Sequence, residues 1–156
     1  MNKLKIIYFI GLMGAGKTYW VEHISKKLHV HFVDLDNVIE EKLGYKITEI
    51  FKKKGELYFR QKEADLLREQ AKFGKIIIST GGGTPCYFNN MQWMNNTGKT
   101  IWLDESLDNI YNRLINEKSK RPLISNLSDV ELKIFIENMY NERLPYFKLS
   151  YIHLKS

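Results

Sequence analysis

Gly11-Leu12-Met13-Gly14-Ala15-Gly16-Lys17-Thr18 is the stretch that decides how this chain is read. It matches G-x-x-x-x-G-K-[ST]. It follows the short apolar run Ile6-Ile7-Tyr8-Phe9-Ile10, β-branched and aromatic like a strand buried on both faces. Behind it Val21, Ile24 and Leu28 recur at helical spacing. In a strand–loop–helix of this kind the glycines let the backbone curl until several N–H groups point at a phosphate, and the helix N-terminus adds its positive end. Lys17 is placed to reach the β- and γ-phosphates of a nucleotide, and the Thr18 hydroxyl to ligate Mg²⁺. A tight turn alone would account for the glycines but not for the Lys-Thr pair. The competing G-x-G-x-x-G dinucleotide fingerprint fails, because Tyr19 stands where its third glycine belongs.

Working outward, His31-Phe32-Val33 reads as a second strand ending at Asp34, and Lys75-Ile76-Ile77-Ile78-Ser79 as a third, stopped by Gly81-Gly82-Gly83. Thr100-Ile101-Trp102-Leu103 is a fourth, after the turn at Thr97-Gly98, and Tyr151-Ile152-His153-Leu154 a last one. Helical patterns alternate with them. One is capped by Ser106 and carries Leu107, Ile110, Tyr111 and Leu114; another runs from Ser128-Asp129 and stops at Pro145. This alternation predicts an α/β fold, a three-layer sandwich around a parallel sheet of about five strands, with ligands at the strands' carboxyl ends. With no linker or repeat, residues 1–156 read as one domain.

Composition narrows the function. Hydrophobic residues are 44% and charged residues 27% of the 156, the balance of a globular protein and not of a disordered one. No apolar run reaches the ~20 residues of a membrane span, and Ile6–Ile10 is too short for a signal-peptide core. The single cysteine, Cys86, excludes an internal disulfide, and no CxxC knuckle is present. The histidines, at 23, 29, 31 and 153, show no metal-ligand spacing. A cytoplasmic monomer that binds neither membrane nor nucleic acid is expected. Lys and Arg number 24 against 18 Asp and Glu, a net charge of +6 that could serve any anion. The one tight run, Lys52-Lys53-Lys54, reads as a solvated face.

Several side chains outside the loop read as a site. In Asp34-Leu35-Asp36, residues two apart on an extended segment share a side, so both carboxylates could face a nucleotide cleft; Asp36 reads equally well as a cap for the helix carrying Val38, Ile39 and Leu43. Leu57, Arg60, Ala64, Leu67 and Ala71 step by three and four, which puts Arg60 on an apolar stripe. Leu132, Ile136, Met139 and Arg143 repeat the pattern. An arginine on such a stripe needs an anion: an internal carboxylate, or a ligand acid suited to the guanidinium fork. Gly81-Gly82-Gly83 suggests close backbone approach to a ligand, or a simple turn. Lys118-Ser119-Lys120-Arg121-Pro122 suggests a mobile flap whose Arg121 closes over phosphates.

These elements, in this order, resemble the shikimate kinase family, in the nucleoside-monophosphate-kinase-like group of P-loop folds. The resemblance rests on 11–18, on Val-Asp-Leu-Asp at 33–36, on Ile-Phe-x₇-Phe-Arg-x₂-Glu from Ile50 to Glu63, and on Ser-Thr-Gly-Gly-Gly at 79–83. It is completed by Arg121-Pro122-Leu123-Ile124 and Glu142-Arg143-x-Pro-Tyr, and runs from about residue 5 to 151. It implies transfer of the γ-phosphoryl of ATP to the 3-hydroxyl of shikimate, on the way to aromatic amino acids. It implies ATP contacts at Gly14, Ala15, Gly16, Lys17, Thr18, Tyr19 and Arg121, and Mg²⁺ held by Thr18 and, through water, by Asp34. It implies shikimate held by Asp36, Arg60, Gly82 and Arg143, with Lys17, Asp36 and Arg121 catalytic. A lid near 116–128 and a substrate-binding helical segment near 36–72 follow from the same likeness. Tyr19 departs from the small hydroxyl residue usual there, the lid offers one arginine, and family members usually continue past Ser156 into an adenine-contacting loop and a helix. The rivals are a gluconate or nucleoside-monophosphate kinase, a general ATPase using Asp104 as its metal acid, and a non-catalytic nucleotide- or RNA-binding module.

Overall fold

The computed structural model describes residues 6–156. Its five strands are β1 Ile6–Ile10, β2 Phe32–Asp34, β3 Ile76–Ser79, β4 Lys99–Asp104 and β5 Ile152–Lys155. They form one all-parallel sheet in the order β2-β3-β1-β4-β5. The helices are α1 Lys17–Leu28, α2 Leu35–Leu43, α3 Ile47–Lys54, α4 Glu56–Ala71, α5 Asn90–Thr97, α6 Leu107–Glu117 and α7 Asp129–Phe147.

The period-two alternation of β1 sorts the core. Phe9 packs with Val21 of α1, Ile77 and Leu103 on one face; Ile6, Tyr8 and Ile10 join the larger core with Leu67, Met94, Leu132 and Phe147 on the other. A sheet covered on both faces explains why its strands are continuous apolar runs. Because β2, β3 and β1 are neighbours, their carboxyl ends bring Asp34, the triple glycine and the phosphate loop side by side. Thr80 fastens two of those ends, its N–H and hydroxyl both donating to the Phe9 carbonyl at 3.0 and 2.9 Å.

Two expectations need correction, and one element was not foreseen. The final helix does not stop at Pro145 but runs on to Phe147, because that fully buried ring packs on Trp102 with centroids 5.6 Å apart and draws the chain on. Leu57 is 73% exposed, so the buried stripe of α4 begins at Phe59 and Arg60. A helix, α5, lies between the third and fourth strands, where the sequence pattern showed none. Just beyond the Lys118–Pro122 stretch, Ile124 is fully buried. Lys52, Lys53 and Lys54 are solvent-exposed, as read.

Candidate active site

The phosphate loop curls by left-handed backbone at Gly14 (φ 77°) and Gly16 (φ 92°), conformations that only glycine adopts without strain. Lys17 folds back into it, its ammonium donating to the Gly11 and Leu12 carbonyls at 2.6 and 2.9 Å. Burial there pulls its pKa down to about 8, against the pull of Asp36 and Asp34. The loop opens on a cleft of about 450 Å³ whose lining includes Lys17, Thr18, Asp34, Asp36, Gly82 and Arg121. Ala15 is buried in the core side of the loop, and the Tyr19 side chain is 68% exposed, stacked on His23 and absent from the lining.

The two aspartates share the cleft for a different reason than extended spacing. Strand β2 ends at Asp34 and helix α2 begins at Leu35, so Asp34 is the N-cap, its Oδ1 accepting from the N–H groups of Asp36 and Asn37 at 3.0 and 3.3 Å. Asp36, read from the sequence as a possible cap, is thereby released toward the cleft. Burial first, then Asp34 and Glu63, push its pKa up to about 6.

The triple glycine is where the remaining expectations meet. A Cβ on Gly81 would lie 3.0 Å from Asp36 Oδ1, one on Gly82 2.7 Å from Arg143 Nη1, and one on Gly83 2.5 Å from Arg60 Nη2. Three glycines thus let one acid and two guanidinium groups crowd a single turn. Arg60 is 8% exposed and its Nη1 donates to Glu63 Oε1 at 2.9 Å. The internal carboxylate allowed by the sequence is therefore present; burial pulls the Arg60 pKa down, but the charge and hydrogen bond of Glu63, with Tyr87 and Glu56, together raise it. Glu63 itself is 1% exposed and also accepts from Thr84 Oγ1 at 2.8 Å. Arg143 is different. Half-buried, with its pKa lowered by that burial, it makes no hydrogen bond or ion pair among the described residues.

Two groups at the cleft were not singled out from the sequence. Arg113 of α6 donates to the Gly14 carbonyl at 2.9 Å and to Glu105 at 2.8 Å. Glu117 holds Arg121, accepting from its Nε and Nη2 at 2.9 and 2.7 Å. The i,i+4 spacing of Glu117 and Arg121 was a legible signal; the approach of Arg113 to a loop 99 residues earlier was not. Asp104, the metal acid of the rival ATPase reading, pairs instead with His153 at 2.7 Å and is not part of the cleft lining.

The shikimate kinase family profile matches residues 13–155. The chain belongs to the shikimate kinase family. A relative from Bacteroides thetaiotaomicron named shikimate kinase is 42% identical over 141 residues, 90% of this chain and 81% of its own length. The solved shikimate kinase from the same organism superposes with a TM-score of 0.94 at 39% identity, over 97% of this chain and 86% of that one. A shikimate kinase from Acinetobacter baumannii, solved in complex with shikimate, superposes at 0.89 and 28% identity over 99% and 85% of the two chains. As a member of this family the chain is an ATP-dependent kinase whose acceptor is a shikimate hydroxyl, and its five-stranded parallel sheet is that of the P-loop kinases.

Proposed function

We propose that the γ-phosphoryl of ATP is transferred to the 3-hydroxyl of shikimate in the cleft between the phosphate loop and the triple glycine, with the site residues acting as follows. The observation that carries this reading is the convergence of Asp36, Arg143 and Arg60 on Gly81, Gly82 and Gly83, beside the loop that carries Lys17.

Arg143 and Arg60 seat the shikimate carboxylate, since planar forks suit a carboxylate and Arg143 has no internal anion among the described residues. Gly82 lets the substrate approach the backbone. Asp36 stands between acid and nucleotide, accepts a hydrogen bond from the attacking hydroxyl and takes its proton; a carboxyl with pKa about 6 is ionised at neutral pH yet basic enough for the work. Lys17 exchanges the Gly11 and Leu12 carbonyls for phosphate oxygens, and the backbone N–H groups of Gly14, Ala15, Gly16, Thr18 and Tyr19 complete the cradle. Arg121, on a lid spanning 116–128, leaves Glu117 for the phosphates; an exposed pair of this kind is worth only ~0–1 kcal/mol, so the exchange is cheap. The helical segment 36–72 forms the shikimate side.

Thr18 and Asp34 fit Mg²⁺. Both present oxygen donors to the cleft, and both N–H donors to Asp34 fall on Oδ1, away from Oδ2. Mg²⁺ keeps several waters and needs only one or two protein ligands beside phosphate, which suits a site with no cluster of three acidic or histidine ligands among the described residues. Bound with the nucleotide, the ion neutralises charge on the β- and γ-phosphates.

The enzyme is proposed to work as a cytoplasmic monomer without nucleic acid or membrane; among the described residues no helix is long and apolar enough to cross a membrane. The test is ADP release with ATP and Mg²⁺ against shikimate, gluconate and nucleoside monophosphates. Stimulation by shikimate alone is expected; stimulation by gluconate alone would overturn the acceptor.

A further inference from the structure

Arg60 is held on more sides than a carboxylate clamp needs. Glu63 fixes its Nη1 corner at 2.9 Å, while its Nε is the one buried side-chain nitrogen or oxygen among the described residues without a hydrogen-bond partner. In a planar guanidinium Nε and Nη2 form one edge of the fork, the edge turned away from Glu63, on which Nε faces only the Glu56 carboxylate, beyond the usual hydrogen-bond length. Over the face of that plane lies Tyr87, with the guanidinium carbon 4.2 Å from the ring centroid. The Tyr87 hydroxyl donates to Glu56 Oε1 at 3.0 Å, and that same oxygen lies 3.5 Å from Arg60 Nε. One end of the ring is thus pinned to the helix that carries the arginine.

The backbone behind Tyr87 is built to keep it there. Cys86 N–H donates to the Gly83 carbonyl at 3.0 Å, which ties the approach to the triple glycine. Phe88 and Asn89 then follow in left-handed conformation, φ 47° and 58°, and for a phenylalanine this is strain that surrounding contacts must hold. Those contacts are present: Arg68 donates to the Phe88 carbonyl at 3.2 Å and to Asn90 Oδ1 at 2.8 Å, and Asn90 Nδ2 to the Thr84 carbonyl at 2.9 Å. Core packing does not explain the ring's place, because Tyr87 is 37% exposed.

We propose that Tyr87 is a positioning residue for substrate: stacked on Arg60, its ring holds the guanidinium in one plane, so that the Nε–Nη2 edge is presented to the carboxylate of the acceptor. This rests on the reading of Arg60 as a shikimate-carboxylate clamp. A stacked cation on a ring that is partly desolvated loses enough on deletion of the ring to weaken acid binding roughly three- to tenfold.

The experiment is steady-state kinetics of Tyr87→Leu, Tyr87→Phe, Arg60→Ala and the Leu–Ala double variant, with melting temperatures recorded alongside. Tyr87→Leu is expected to raise the KM for shikimate roughly three- to tenfold with kcat and the KM for ATP unchanged. Tyr87→Phe keeps the ring and is expected to hold the shikimate KM within about twofold. In the Arg60→Ala background Tyr87→Leu adds nothing further, because the group it positions is gone. Should Leu unsettle the fold, Tyr87→Gln carries the same expectation. A shikimate KM unchanged in Tyr87→Leu while Arg60→Ala raises it overturns the role of Tyr87 alone. An equal loss for both substrates, or the same further loss in the Arg60→Ala background, also overturns it. An unchanged shikimate KM in Arg60→Ala overturns the clamp reading beneath it.

Discussion

The carboxylate of Asp34 accepts the backbone N–H of Asp36 at 3.0 Å. This contact divides the labour between two acids two residues apart. Asp34 ends the strand and starts the helix, and its second oxygen takes neither of the capping contacts. Asp36, freed from capping, is left half-buried beside Asp34 and Glu63, and the lost solvation with those two charges is why its pKa rises to about 6.

An acid held in that state costs the fold stability. Its folded pKa lies above the unfolded value, so the folded protein binds the proton more tightly, and stability grows as pH falls from about 6 toward 4. At pH 7 the ionised form is the unfavourable one. Asp36→Asn is therefore expected to raise the melting temperature at pH 7, corresponding to roughly 1–3 kcal/mol, with the gain vanishing near pH 4. The same substitution is expected to lower kcat by about a hundredfold or more. Thermal melts at the two pH values, with kcat measured in parallel, check both halves.

The pair Asp36 and Lys17 sets a pH window. Asp36 must be ionised to take a proton, and Lys17 must be protonated to meet phosphate. With pKa values of about 6 and about 8, kcat/KM should trace a bell with limbs near those values. In Asp36→Asn the acid limb should disappear while the alkaline limb stays. An acid limb that persists in the variant would remove Asp36 from the role of base.

The glycine turn makes a sharper demand. Gly82 and Gly83 have no left-handed backbone, so alanine there meets no φ penalty; its Cβ meets Arg143 Nη1 at 2.7 Å or Arg60 Nη2 at 2.5 Å. Guanidinium groups sit at the far end of flexible side chains and can swing away, so the fold should survive and the arginine should move. Gly82→Ala and Gly83→Ala are each expected to raise the shikimate KM about tenfold or more, with the melting temperature shifted by only a few degrees. Kinetics for both substrates with a thermal melt will show whether the loss is confined to the acid.

Much of this arrangement was legible before any coordinates. The motif at 11–18 between a buried strand and a helix, and the strand patterns read at 75–79 and 100–103, place the inner strands within a residue of where they lie because period and composition agree there. Arg60 and Arg143 announced themselves as charges on apolar stripes. Illegible were features set by tertiary contact. Glu63 looks like any helix glutamate until Thr84 arrives from 21 residues away, and Tyr87 like any loop aromatic until α4 runs beneath it. Leu57 fits the stripe's arithmetic yet lies where α4 has nothing to pack against, and Pro145 breaks local helix rules that the burial of Phe147 overrides.

The account turns on Arg143, the cation at the glycine turn with no internal partner among the described residues. Calorimetric titration of shikimate into the wild-type protein and into Arg143→Ala, without nucleotide, tests it most directly. The dissociation constant should rise by a factor of about ten to a hundred, as the loss of a charge-assisted hydrogen bond to a carboxylate requires. An affinity that does not change would contradict the claim that this turn is where the acid is held.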